Sequence, residues 1–278
     1  MHKNIVITGA TDGIGLAAAK SIAKKDYNLI LVGRNPKKGK KALETIISET
    51  GNKNIDFFEC DLSLVANVKD LSDKIKQKYS KIDVLLNNAG GANKTKQITT
   101  EGLEKTFATN QMNYFVLSTE LLEIISESND GRIVNVASNA HIGAEVDYEN
   151  INSEKSFSAW TSYCVSKLMN IMFTYQLSSI QDKVSVNVLH PGFVDTNIAG
   201  NEGNFIKYIV KLGAKMFART VDSGADSSIY LSTSDEVQNV SGKYFFKCKE
   251  IKSSRASYNK EDWQKVWDLC NEYKIKLI

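Results

Sequence analysis

What most constrains this chain is an alternation that starts at its first residues. Apolar runs of strand length take turns with longer amphipathic stretches. Asn4–Thr8, Asn28–Val32, Ile55–Cys60, Val84–Asn87, Arg132–Ala137 and Val184–Leu189 read as strands. They are almost continuously apolar, as strands are when a parallel sheet is covered on both faces. Between them Leu16–Lys25, Pro36–Thr50, Leu64–Tyr79, Leu103–Ser126 and Ser162–Gln181 read as helices. Pro36 suits a first helical position and Gly51 a helix end. Lys243–Lys247 reads as a last strand, and about residues 260–275 as a C-terminal helix. The pattern predicts an α/β fold, a doubly wound parallel sheet. With no linker, repeat or low-complexity tract, one domain over 1–278 is the economical organisation.

Thr8-Gly9-Ala10-Thr11-Asp12-Gly13-Ile14-Gly15 lies where the first strand passes into the first helix. Glycines there permit a tight turn and let backbone N–H groups and a helix N-terminus approach a pyrophosphate, as in a Rossmann dinucleotide site. Such a site for NAD carries an acidic residue about 20 positions further on, which binds the ribose hydroxyls. Here the second strand ends Val32-Gly33-Arg34-Asn35. A guanidinium pairs with a 2′-phosphate and a carboxylate repels it, so Gly33 where the acid is expected, followed by Arg34, points to NADP(H). Lys37 and Lys38 add positive charge nearby.

Tyr163 and Lys167 are four apart in a helical pattern and so share a face. An ammonium beside a phenol favours the phenolate, which predicts a lowered Tyr163 pKa and a role in proton transfer. Taken with the rest, these residues identify the chain as similar to the short-chain dehydrogenases/reductases, within them the retinol-dehydrogenase-like group. The resemblance runs from Ile5 to about Phe246. It is carried by Thr8-Gly9-x-x-x-Gly13-Ile14-Gly15, Asp61-Leu62, Asn87-Asn88-Ala89-Gly90, Asn110, Ser138, Tyr163-x-x-Ser166-Lys167 and Pro191-Gly192-x-x-x-Thr196, in that order. Gly33-Arg34-Asn35 and Gly242-Lys243-Tyr244-Phe245 carry the subgroup, whereas Gln111-Met112-Asn113-Tyr114 departs from it.

The resemblance implies hydride transfer between a nicotinamide and a carbonyl or alcohol carbon. Tyr163 would move the proton, Ser138 would bond the substrate oxygen, and Lys167 would lower the Tyr163 pKa and hold the nicotinamide ribose. Asn110 would hold a water in a proton relay. The cofactor would lie against Gly9, Thr11, Asp12, Gly13, Ile14, Gly15, Arg34, Asp61, Leu62, Asn88, Ala89, Gly90, Tyr163, Lys167, Pro191, Gly192, Val194 and Thr196.

Other classes fit less well. A net charge of +3, with no basic stripe, argues against a nucleic-acid partner. The four cysteines are widely spaced, which argues against a metal site or disulfide framework and favours a reducing, cytoplasmic setting. No run approaches the roughly 20 apolar residues of a membrane span; peripheral membrane contact and a homodimer stay open. A silent cofactor-binding regulator conflicts with the intact Asn110, Ser138, Tyr163 and Lys167. A sugar-nucleotide epimerase would resemble a longer chain. His141 reads as a loop residue near the cleft rim, and His190 as structural. Ser138, His141 and Asp147 lack the strand–nucleophile–helix turn of a hydrolase. Trp263, Val266, Trp267 and Cys270 form an apolar helical stripe whose default is packing on the domain. Phe193–Thr220, rich in apolar residues, reads as a lid over a lipophilic carbonyl or alcohol substrate.

Overall fold

The computed structural model describes residues 2–192 and 220–278. The expected lid, Phe193–Thr220, lies outside them except for Thr220. Eight strands form one sheet in the order β3-β2-β1-β4-β5-β6-β7-β8. They are β1 (Asn4–Thr8), β2 (Asn28–Gly33), β3 (Ile55–Glu59), β4 (Val84–Asn87), β5 (Arg132–Val136), β6 (Ser185–Leu189), β7 (Tyr244–Phe246) and β8 (Lys249–Ile251). β1 to β7 pair in parallel, and β8 alone is antiparallel. The order reverses at β1, which pairs β2 on one side and β4 on the other. That reversal opens a crevice at the carboxyl ends of the central strands, where doubly wound sheets bind ligands.

Two apolar layers cover the sheet. On one face α1 (Gly13–Ala23), α2 (Pro36–Thr50) and α6 (Val221–Thr233) pack, with Ala18, Ala19, Ile22, Ile46, Ala225 and Leu231 all buried against the strands. On the other lie α3 (Val65–Lys78), α4 (Asn113–Ser126), α5 (Ala159–Ile180) and the C-terminal α7 (Lys260–Leu277). The expected stripe on α7 is taken up by packing. Trp267 meets the Phe115 ring at 5.0 Å and stacks on Phe173 at 6.1 Å, and Val266 and Cys270 are fully buried. Among the described residues no helix is long and apolar enough to cross a membrane.

Three elements differ from the expectation. The stretch read as one helix over Leu103–Ser126 is a short turn, Lys105–Phe107, then a π-helical turn, Ala108–Met112, and then α4. α6 was not expected: Gly224, Ser227, Ser228 and Ser232 make its buried face small and hydroxylic, so no apolar period marks it. β8 was missed as well. The β7–β8 hairpin turns at Lys247 and Cys248 with φ of +49° and +59°, which a two-residue turn requires and Asn or Gly ordinarily supplies.

Candidate active site

The glycine turn leaves β1 at Thr8 and enters α1 at Gly13. Gly9 and Gly13 both have left-handed backbone, φ +64° and +50°. The tightest constraint falls on Gly15, where a Cβ would stand 2.3 Å from the Gly9 carbonyl oxygen and 2.5 Å from Asn88 Nδ2. Asp12 caps α1 by accepting the Gly13 N–H at 2.8 Å. Lys38 reaches back to its other oxygen at 2.9 Å, and that bond is the main reason its carboxyl sits below the usual range.

The end of β4 is tied to this turn. Thr8 Oγ1 accepts the amides of Asn88 at 2.9 Å and Ala89 at 3.0 Å, and Asn88 Nδ2 donates to the Thr8 carbonyl at 2.8 Å. Below it, Asn87 donates to Asn135, and Asn135 to Thr174, through fully buried side chains. A cleft of about 240 Å³ results, lined by Gly9, Asp12–Gly15, Asn88–Gly91, Val136, Ala137, Tyr163, Lys167 and Pro191.

Ser158 caps α5 by accepting the Thr161 N–H. One turn further on, Tyr163 and Lys167 face the cleft together. Lys167 is buried, and its Nζ donates to the Val136 carbonyl at 2.8 Å and to Asn170 Oδ1 at 3.2 Å. Burial pushes its pKa down to about 7. Burial also raises Tyr163, against an opposing hydrogen bond from Ser138. The expected lowering of Tyr163 by Lys167 is therefore corrected. Desolvation disfavours the charged form of each group, so the Lys167 charge that would lower Tyr163 is itself disfavoured here.

Asn110 lies in the π-helical turn. Its Nδ2 donates to the Gly91 carbonyl and to Ser166 Oγ, both at 2.9 Å, and its Oδ1 accepts the Gly91 amide at 2.9 Å. Its main-chain carbonyl accepts Asn170 Nδ2 at 2.8 Å. A π turn breaks the regular ladder of backbone bonds, and here a side chain of α5 takes up that carbonyl. Asn170 so joins Asn110 to Lys167. Sequence reasoning passed over it, although it stands three residues after Lys167 on the same helix.

Ser138 follows β5 and caps the 3₁₀ turn Asn139–His141, its Oγ accepting the Ala140 N–H at 3.2 Å. His141 is not at the cleft rim as expected: it is 1% exposed, and both ring nitrogens bond the main chain, at Ser138 O and Ser254 N. His190 accepts the Gly192 N–H at Nδ1 and stacks on Phe246, which shapes the turn after Pro191.

Among the described residues, the remaining expected contacts lie beyond the cleft lining. Arg34 is exposed at the end of β2. A Cβ on Gly33 would press on the Thr11 methyl at 2.8 Å. Asp61 folds onto Ser63, accepting its N–H and its hydroxyl, and Leu62 is buried. Val194 and Thr196 lie outside the described residues. Trp160, in the first turn of α5, is 45% exposed with its ring 6.4 Å from that of Tyr163.

Comparison with known proteins shows what the chain is similar to. Residues 3–206 match the family model described as short chain dehydrogenase. A human polyprenol dehydrogenase is 33% identical over 270 residues, 94% of this chain and 82% of the relative. Mouse retinol dehydrogenase 13 is 31% identical over 272 residues, 95% of this chain and 81% of the relative. Among solved structures, an uncharacterised protein from Mycobacterium Paratuberculosis superposes with a TM-score of 0.79 at 25% identity, covering 98% of this chain and 93% of that one. A short chain dehydrogenase from Shigella flexneri, solved with NADP, gives 0.68 at 23% identity, covering 89% and 97%.

Proposed function

This chain belongs to the short chain dehydrogenase family, and within it to the retinol-dehydrogenase-like group; on that premise we propose that it is an NADP(H)-dependent oxidoreductase acting on a lipophilic alcohol or carbonyl compound. Membership makes it an oxidoreductase of CH–OH or C=O groups that uses a nicotinamide cofactor. The observation that carries the proposal is the single cleft shared by the glycine turn, the Asn88–Gly91 segment and the Tyr163–Lys167 pair.

The residues fit a dinucleotide. The Gly9–Gly15 turn packs so closely on itself and on Asn88 that no Cβ fits at Gly15, and the N-terminus of α1 borders the cleft, where a pyrophosphate would lie. Gly33 places no carboxylate at the end of β2, and the exposed Arg34 suits a 2′-phosphate. Asn88, Ala89, Gly90, Pro191 and Lys167 would border the nicotinamide ribose. When bound, the cofactor supplies or accepts the hydride.

The chain's own residues handle the proton. Tyr163, kept in its phenol form by burial, gives the proton to the carbonyl oxygen in reduction. The Ser138 Oγ accepts from Ala140 and its hydroxyl faces the Tyr163 oxygen, from which it would turn to bond the substrate oxygen placed between the two. Asn170 accepts from Lys167 and itself donates to the Asn110 carbonyl, so the two asparagines hold the amine in place one helical turn after Tyr163. The lipophilic substrate rests on two supports. The relatives are named for polyprenol and retinol, and the exposed Trp160 offers an apolar face next to Tyr163.

The test is a panel of retinal, prenyl and short polar aldehydes with NADPH or NADH, followed at the nicotinamide absorbance band. The proposal expects turnover with NADPH, fastest on the lipophilic members. Turnover confined to NADH, or to the polar aldehydes, would contradict it.

A further inference from the structure

His141 is a buried, titratable side chain that the proposed chemistry does not use, and its bonding is unusually specific. Nδ1 lies 2.7 Å from the Ser138 carbonyl oxygen. Nε2 lies 3.0 Å from the main-chain nitrogen of Ser254, just ahead of the 3₁₀ turn Arg255–Tyr258. An amide N–H only donates, so Nε2 must present its lone pair. In the neutral ring the proton then sits on Nδ1, facing a carbonyl that only accepts. The two contacts select one tautomer. Tyr244 closes the ring's side in an edge-on contact at 5.3 Å, and burial favours the neutral imidazole.

The bond falls on the residue whose geometry matters most. The Ser138 carbonyl also accepts the His141 amide at 3.2 Å, while its Oγ accepts the Ala140 amide at 3.2 Å. Holding the carbonyl fixes the plane of the peptide that leaves Ser138. That in turn fixes where its Cα–Cβ bond points. Ser254 lies 113 residues away in sequence, so the imidazole anchors the Ser138 turn to a separate part of the fold.

We infer that His141, as the Nδ1–H tautomer held by Ser254, is a positioning residue that aims the Ser138 hydroxyl at the reacting oxygen through the Ser138 carbonyl. This rests on the reading of Ser138 and Tyr163 as the proton-handling pair. A group misplaced by about 1 Å can cost on the order of 10²-fold in rate, so the effect belongs in kcat.

The experiment is a double-mutant cycle with Ser138→Ala, His141→Leu and the pair, measured with NADPH and a lipophilic aldehyde the parent reduces. His141→Leu is expected to lower kcat by roughly 10- to 100-fold while the NADPH Kd stays near the parent's. Added to Ser138→Ala it should cost almost nothing more. His141→Asn, whose Nδ2 can stand where Nδ1 stands and donate to the Ser138 carbonyl but whose amide is too short to reach Ser254, should recover part of the rate. If His141→Leu does not fold, His141→Gln replaces it in the cycle: its amide is displaced by one methylene, and it should fall well below His141→Asn. Equal losses from the His141 change in both serine backgrounds would overturn the inference, as would His141→Asn performing no better than the other variants. Those results leave the active-site reading standing. Full activity in Ser138→Ala would instead remove that reading, and the inference with it.

Discussion

Lys167 stands one helical turn after Tyr163, yet its Nζ bonds the Val136 carbonyl at 2.8 Å and lies 5.9 Å from the centre of the tyrosine ring. The lysine is a buried amine held by main chain and by Asn170, with no carboxylate among its bonding partners in the described residues. Its charge is therefore costly, and the cost can be read in the protein's stability.

Folding takes the Lys167 pKa from 10.5 to about 7. Between those values the unfolded chain binds a proton that the folded chain does not, so stability rises with pH across the window. The contribution is full above the upper value and is lost as pH falls toward 7. Its slope reaches about 1.36 kcal/mol per pH unit. Urea unfolding from pH 7 to 9 should show this slope in the cofactor-free parent and lose it in Lys167→Met. The same slope in both proteins would place the ammonium in a wetter setting than the structure gives it.

Arg34→Ala should weaken NADPH binding by roughly 10- to 100-fold, the worth of a charge-assisted bond, and leave NADH binding nearly unchanged. Titration calorimetry with each cofactor measures this. Equal losses for the two cofactors would show that Arg34 supports the turn and does not read the 2′-phosphate.

Gly15→Ala places a Cβ against the Gly9 carbonyl and Asn88. Backbone cannot yield as a side-chain tip does, so the variant should lose about 1–3 kcal/mol of stability and bind NADPH weakly. Thermal melts with and without NADPH test this. An unchanged Tm with a full NADPH shift would mean that the turn is looser than its geometry implies.

Much of this was legible in the residues because the signals were local. The strands of the central sheet were read to within about a residue, since apolar runs of strand length need no knowledge of their partners. Tyr163 and Lys167 were placed together by helical spacing alone. What escaped depended on distant contacts. The π turn at Asn110 becomes visible only once Gly91, Ser166 and Asn170 converge on it. His141 reads as an ordinary loop residue until Ser254 arrives at its ring. The Lys247–Cys248 turn carries no glycine or asparagine to announce it. The Tyr163 pKa was misjudged for a related reason: spacing gives neighbours, whereas desolvation depends on everything packed around them.

The central claim is that Tyr163 handles the proton. Tyr163→Phe keeps the ring and its contact with Trp160 and removes only the hydroxyl. Steady-state reduction of a lipophilic aldehyde by parent and variant, beside the NADPH Kd of each, tests it most directly. The account predicts kcat lower by at least about 10²-fold with a Kd close to the parent's. A variant that keeps most of the parent's kcat would contradict it.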